Sequence, residues 1–142
     1  MGSLGLERGF ALLTGAILVV LGILGAVGSP IVGRPETTGI VVTGFGHDLV
    51  HLVSGALFIH VGVAFDRRQR AYGLLGLGVF FLGTGLMSLL SPDLLGVYDA
   101  PTSGLDQLGH LLLGLAAVVI GWMGRGVERR EVGRSASRPL RG

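Results

Sequence analysis

Hydrophobic residues fall along this chain in four long blocks separated by short polar punctuation. Residues 9–28 carry no charge. Residues 47–65 are apolar apart from Asp48, Ser54 and three histidines at their start and middle, His47, His51 and His60. Residues 71–90 are uncharged, and residues 106–124 carry only Asp106 and His110 as ionisable groups. Each block is close to the ~20 residues that cross a bilayer core. Backbone groups in lipid must be satisfied within their own segment, so each block is predicted to be a helix. No alternation of period two favours a β-barrel. The predicted fold is all-α, a four-helix transmembrane bundle over residues 1–124, followed by a tail over 125–142.

The first block is longer than the roughly 7–15 residues of a signal-peptide core, and Glu7 dilutes the positive flank. Ala26-Val27-Gly28 would be a tolerable cleavage site. The block is nevertheless read as a retained span.

Charge placement sets the orientation. All 11 basic residues are arginine. Arg8, Arg67, Arg68, Arg70 and the tail arginines Arg125, Arg129, Arg130, Arg134, Arg138 and Arg141 fall on one side of a four-span topology, and only Arg34 falls on the other. The positive-inside bias therefore places both termini and the 66–70 turn in the cytoplasm. The segments 31–45 and 93–105 face outward. The tail lacks an apolar period and is expected to be unstructured. Its arginines suit anionic headgroups, at ~1 kcal/mol each near such a surface. Trp122, Tyr72 and Tyr98 fall where interfacial aromatic anchors belong.

Composition agrees. The chain has 142 residues, 49% hydrophobic and 14% charged, where soluble domains average about 25% charged. Mean hydropathy is +0.70. The net charge of +2 sits with the membrane-surface arginines, so no nucleic-acid partner is expected. Cys, Lys and Asn are absent. That excludes disulfides, thiolate metal sites, Fe–S clusters and lysine chemistry. There are 27 glycines, which fits closely packed membrane helices.

The chain also repeats itself. Arg8, Leu12, Leu13, Leu24, Ser29 and Pro30 recur 62 residues later as Arg70, Leu74, Leu75, Leu86, Ser91 and Pro92. His51-Leu52-x-x-Gly55 with Gly62 recurs 59 residues later as His110-Leu111-x-x-Gly114 with Gly121. Each half is a helical hairpin, so the halves insert the same way up, as parallel repeats. Gly55, Gly62, Gly114 and Gly121 form smooth strips below the histidines. These strips are expected to pack closely, against each other across the repeat axis.

The ionisable groups in the spans are the candidate chemistry, because such groups are costly in lipid. His47 with His51, and Asp106 with His110, are i, i+4 pairs that each share a helix face. Three imidazoles and a carboxylate would suit zinc or another divalent metal. His51 and His110 could instead be the axial ligands of a b-type haem. The plainer expectation is a structural polar network of His47, Asp48, His51, Asp106 and His110 at the outer helix ends, with no cofactor. Ser103-x-x-Asp106 reads as a capping box. His60 lies about 180° around the helix from His51, and is expected to bond a hydroxyl such as Thr14, Thr84 or Ser88.

At these motifs the chain resembles a prokaryotic family of four-span membrane proteins, domain of unknown function 4383. The residues that carry the resemblance are His47-Asp48-Leu49-Val50-His51-Leu52-Val53-Ser54-Gly55 and Asp106-Gln107-Leu108-Gly109-His110-Leu111-Leu112-Leu113-Gly114. The family's motifs have Asn where Asp48 and Gln107 stand, and Leu where Gly109 stands. The resemblance implies a prokaryotic cytoplasmic-membrane protein over about residues 5–124 and implies no activity. No nucleophile–base pair is evident, so an enzyme is not expected. The expected function is that of a non-enzymatic accessory or scaffold protein. Its expected partners are lipid and either a homo-oligomer or a larger membrane complex. Metal or haem binding at His47, His51, Asp106 and His110 is the alternative.

Overall fold

A computed structural model describes residues 5–33, 41–42, 44–91 and 103–136. Four helices make the bundle: α1 (Leu6–Ala26), α2 (Phe45–Ala64), α3 (Arg67–Leu90) and α4 (Gly104–Ala136). All four are long and apolar enough to cross a membrane, α4 through its Gly104–Arg125 part. At 1.5 Å per residue the 21 residues of α1 extend about 31 Å, the thickness of a hydrocarbon core. The helix α4 runs on through Ala136, so the first part of the tail is helical where no structure was expected. Residues 137–142 and Tyr98 lie outside the described residues.

The helix ends explain themselves locally. Gly28 has φ +70°. Its N–H donates to the Gly25 carbonyl, and the Ser29 N–H donates to the Leu24 carbonyl. This is the Schellman arrangement, which uses a left-handed residue to satisfy the last carbonyls. Gly28→Ala is expected to cost about 1–2 kcal/mol, the penalty for a Cβ in that conformation, measurable as a lower melting temperature in detergent. Beyond it, the Val32 N–H donates to Ser29 Oγ. Two short strands, β1 (Val32–Gly33) and β2 (Val41–Val42), then pair in parallel. At the other end of the bundle the α2–α3 turn is two residues long. Asp66 caps α3 through a reciprocal box with Gln69, and the Arg70 guanidinium donates to the Phe65 carbonyl at 2.6 Å, closing the end of α2.

The helices pair as two hairpins, α1 with α2 and α3 with α4, each at backbone contact. A Cβ placed on Gly15 would lie 2.7 Å from the Gly55 carbonyl oxygen, and one on Gly55 would lie 2.9 Å from that of Gly15. Gly78 and Gly114 stand in the same mutual relation. One turn-pair further along, Gly62 accepts Leu12 of α1, and Gly121 accepts the Ala71 backbone and Leu75 of α3. The glycine strips are thus buried as expected, but each packs within its own hairpin. They do not pack on each other, because the odd-numbered helices carry glycines of their own to meet them.

Between the hairpins the contact is made by side chains. Ala11, Leu18, Phe58, Val61, Leu74, Phe81 and Ala117 form the buried core. Phe58 and Phe81 meet at its centre with ring centroids 5.9 Å apart. At the short-turn end the Arg125 guanidinium lies 5.2 Å from the Tyr72 ring and 5.0 Å from the Trp122 ring. Cation–π attraction there joins the charge to the two aromatic anchors.

Candidate metal centre

Four side chains converge at the end of the bundle opposite the two-residue turn. His47 and Asp106 are each the third residue of their helices, and His51 and His110 each the seventh. The i, i+4 spacing stacks each pair on one face. Those two faces meet, about 9 Å down from the helix starts at the deeper pair. All four residues are buried, at 3–7% exposure.

One ligand atom from each of His47, His51, Asp106 and His110 lies within 4.8 Å of the other three. His47 Nε2 is 3.1 Å from His51 Nε2 and 3.5 Å from Asp106 Oδ1. His110 Nδ1 is also 3.5 Å from Asp106 Oδ1. A tetrahedral ion with bonds of 2.0–2.1 Å separates its ligands by about 3.3 Å. The His47–His51 and His47–Asp106 separations lie on either side of that value, and all four ligand atoms fall within 4.8 Å.

Proton positions follow from the acceptors. His110 Nδ1 lies 2.8 Å from the Asp106 carbonyl oxygen. A carbonyl only accepts, so Nδ1 carries the proton and Nε2 the lone pair. This is the usual second contact of a metal-binding imidazole, and it fixes both tautomer and ring angle. Asp106 is held in turn by its helix start, where its N–H donates to Ser103 Oγ at 3.2 Å. The expected Ser103 cap is therefore present. His51 and Asp106 differ from His110 in one respect. Among the described residues, His51 Nδ1 and Asp106 Oδ2 are fully buried with no hydrogen-bond partner.

The remaining polar residues of the spans stand apart. Asp48 is 1% exposed, and its carboxyl lies against Gly25 of α1, where any Cβ would collide with it. It therefore faces α1 rather than α4. The Gln107 amide, at the matching position in the other hairpin, donates to the Ser88 carbonyl at 3.2 Å. His60 is exposed on the outside of α2 and packs edge-on to Phe65, centroids 5.3 Å apart. It does not bond the hydroxyls expected for it. The Thr84 and Ser88 hydroxyls donate instead to carbonyls of their own helix, at Phe80 and Gly85, and Thr14 is buried in α1.

The haem arrangement does not fit. A porphyrin between His51 and His110 would need the space between those rings to be clear. The His51 and His110 centroids are 6.0 Å apart, and the His47 ring lies directly beside the space between them, 4.4 Å from one and 5.4 Å from the other, in the path of a macrocycle placed there.

A cavity of about 270 Å³ adjoins the cluster. Thr14, Ile17, Leu18 and Leu21 of α1, Val32, Phe81 of α3 and Leu105, Gly109 and Leu113 of α4 wall it, and His51, Asp106 and His110 close one side. The inward residues of α1 and α3 gave no signal of this in the sequence. The glycines that meet the strips did. Gly15 and Gly22, like Gly78 and Gly85, share the seven-residue spacing of Gly55 with Gly62 and Gly114 with Gly121.

No protein-family model matches the chain, and no curated protein or solved structure matches it either.

Proposed function

We propose that this protein holds one divalent transition-metal ion between α2 and α4, ligated by His47, His51 and His110 through ring nitrogens and by Asp106 through a carboxylate oxygen. The observation that carries this reading is the convergence of four buried ligand atoms within 4.8 Å. Unmetallated, the same arrangement buries a carboxylate and three imidazoles in a place where isolated charge and unmade hydrogen bonds are expensive. Imidazole and carboxylate together suit zinc and its neighbours in the first transition row. Four protein ligands make a closed site of the structural kind, so the ion ties the hairpins together and the protein is not an enzyme at this centre.

The setting is a prokaryotic cytoplasmic membrane with both termini in the cytoplasm. Arginine placement supports that orientation, and it puts the metal near the outer face and the Arg125 helix extension against anionic headgroups. The paired contacts Gly15–Gly55 and Gly78–Gly114 support a duplicated hairpin, with one refinement. The contacting residues of α1 and α3 correspond at a spacing of 63, one more than the Arg and Ser-Pro landmarks. The two histidine motifs support kinship with domain of unknown function 4383.

The test is elemental analysis of the protein purified in mild detergent, followed by cobalt titration of the stripped protein. About one metal per chain and a tetrahedral cobalt absorption band are expected. Protein with no stoichiometric metal and no cobalt band would overturn the reading and leave a hydrogen-bonded polar network in its place.

A further inference from the structure

We infer that the arginine-rich end of the bundle seats one anionic phospholipid on the outer side of the α3–α4 seam, its phosphate between Arg68 and Arg125 and its acyl chains along the lipid-facing sides of both helices. This seat rests on the reading that the arginine end lies among headgroups, and it is independent of the metal.

Close packing builds the seat. A Cβ on Gly121 would lie 2.7 Å from the Ala71 carbonyl oxygen, so α3 and α4 meet there at backbone contact. The next residue on each helix, Tyr72 and Trp122, is exposed. The Arg125 guanidinium lies 5.2 Å from the Tyr72 ring and 5.0 Å from the Trp122 ring, so one cation joins the two rings across the seam. Arg68 is exposed and stands one turn before Tyr72 on the same face of α3. The membrane-spanning part of α3 begins at Arg67, and that of α4 ends at Arg125. Both arginines are therefore at the same membrane boundary, where lipid phosphates lie.

The unmet needs of these groups name the ligand. Ring faces hold a guanidinium by cation–π attraction but take none of its N–H donors as a carboxylate would. Among the described side chains, Arg125 touches the two rings and none accepts a hydrogen bond from it. The Glu7 carboxyl is turned to the inner side of α4, against Gly124. The free edge of Arg125 is a planar fork that phosphate oxygens match in pairs. Two cations around one ring favour a ligand of net negative charge, because a zwitterionic lipid brings a cation of its own beside its phosphate. The chains have a place as well. Gly76, one turn beyond Tyr72 on the same face, is exposed, and a Cβ there meets nothing within 4 Å. Val79 and Val119, both exposed, continue that apolar surface, from which a free phosphate would gain nothing.

The experiment is a thermal melt of the full chain in a mild non-ionic detergent, titrated with dioctanoyl phosphatidylglycerol. Dioctanoyl phosphatidylcholine tests the charge, and glycerol 3-phosphate supplies a phosphate without chains. A saturable rise of a few degrees is expected with phosphatidylglycerol, with none from glycerol phosphate and at least about tenfold weaker action by phosphatidylcholine. Arg125→Gln should raise the half-effect concentration about tenfold. It also removes the ring contacts, so Arg68→Gln, which alters no helix contact, is measured beside it and should shift the titration in the same direction. The paired tail variant Arg138→Gln with Arg141→Gln should leave it unchanged. An unsaturable rise, a rise shared equally by phosphatidylcholine or produced by glycerol phosphate, or one retained in both Arg68→Gln and Arg125→Gln overturns the seat. If the tail variant loses the response as fully as Arg125→Gln does, diffuse attraction to anionic headgroups stands and the seat falls. If no lipid raises the melting temperature, the seat and the headgroup reading fall together.

Discussion

A Gly114→Leu chain is expected not to accumulate as a folded protein, while Gly109→Leu, on the same helix, is expected to be carried with little loss. The two positions differ only in what a side chain would meet. At Gly114 a Cβ would lie 2.9 Å from the Gly78 carbonyl oxygen and 2.8 Å from Leu82 Cγ. The first of these is backbone, which no rotamer change can move. Relief requires α3 and α4 to separate, and with them the contact at Gly121. Overpacking by a methylene or two ordinarily costs 1–3 kcal/mol. A leucine driven between two backbones should exceed about 3 kcal/mol, a large share of the ~5–15 kcal/mol that holds a domain together. Gly55→Leu should behave the same way in the first hairpin, and Gly83→Leu, which meets nothing, should behave like Gly109→Leu. The measurement is the yield of monodisperse protein and its melting temperature. Equal behaviour at Gly114 and Gly83 would show that the hairpins are not held by backbone contact.

The second large effect concerns the metal. Asp106→Asn keeps the size of the side chain and removes the charge of its carboxylate. His51→Ala removes one imidazole outright. Loss of an outer contact to a ligand typically costs 10–100-fold in affinity, so loss of a ligand itself should cost on the order of 100-fold or more. Both variants should be purified without stoichiometric metal, and both should melt at the temperature of the stripped wild type. His60→Ala, outside the centre, should keep its metal. Acid should imitate these variants. The ring nitrogens must be unprotonated to bind, so protons compete with the metal and a sufficiently acid buffer should strip it. A metal content unchanged in Asp106→Asn would remove that residue from the ligand set.

Much of this was legible in the sequence, and the reasons differ by element. The four spans were plain because lipid demands long uncharged stretches and helices to satisfy the backbone. Their ends were less so. Leu6 and Gly104 begin helices a few residues before the apolar runs; Ser103 caps the second, while α1 starts after Gly5 with no side-chain cap. Nor did hydrophobicity mark Ala136 as the end of α4. The cluster was readable as two i, i+4 pairs, since spacing alone puts His47 above His51 and Asp106 above His110. Spacing also places a residue on a face, but it does not name the helix opposite. For that reason the glycine strips were assigned to each other when each in fact meets Gly15 or Gly78 of its own hairpin. Asp48 is the same lesson from the other side. It sits one residue from His47, about 100° around the helix, and that rotation is enough to send it to Gly25 rather than to the His/Asp cluster.

The division of the proposed ligands between α2 and α4 has a consequence in time. A chain made from its N-terminus delivers α1 and α2, with His47 and His51, before α4 brings Asp106 and His110. On the proposed metal reading a four-ligand complex can form only then, so loading would be a closing event of biosynthesis and a bound ion would mark a finished molecule.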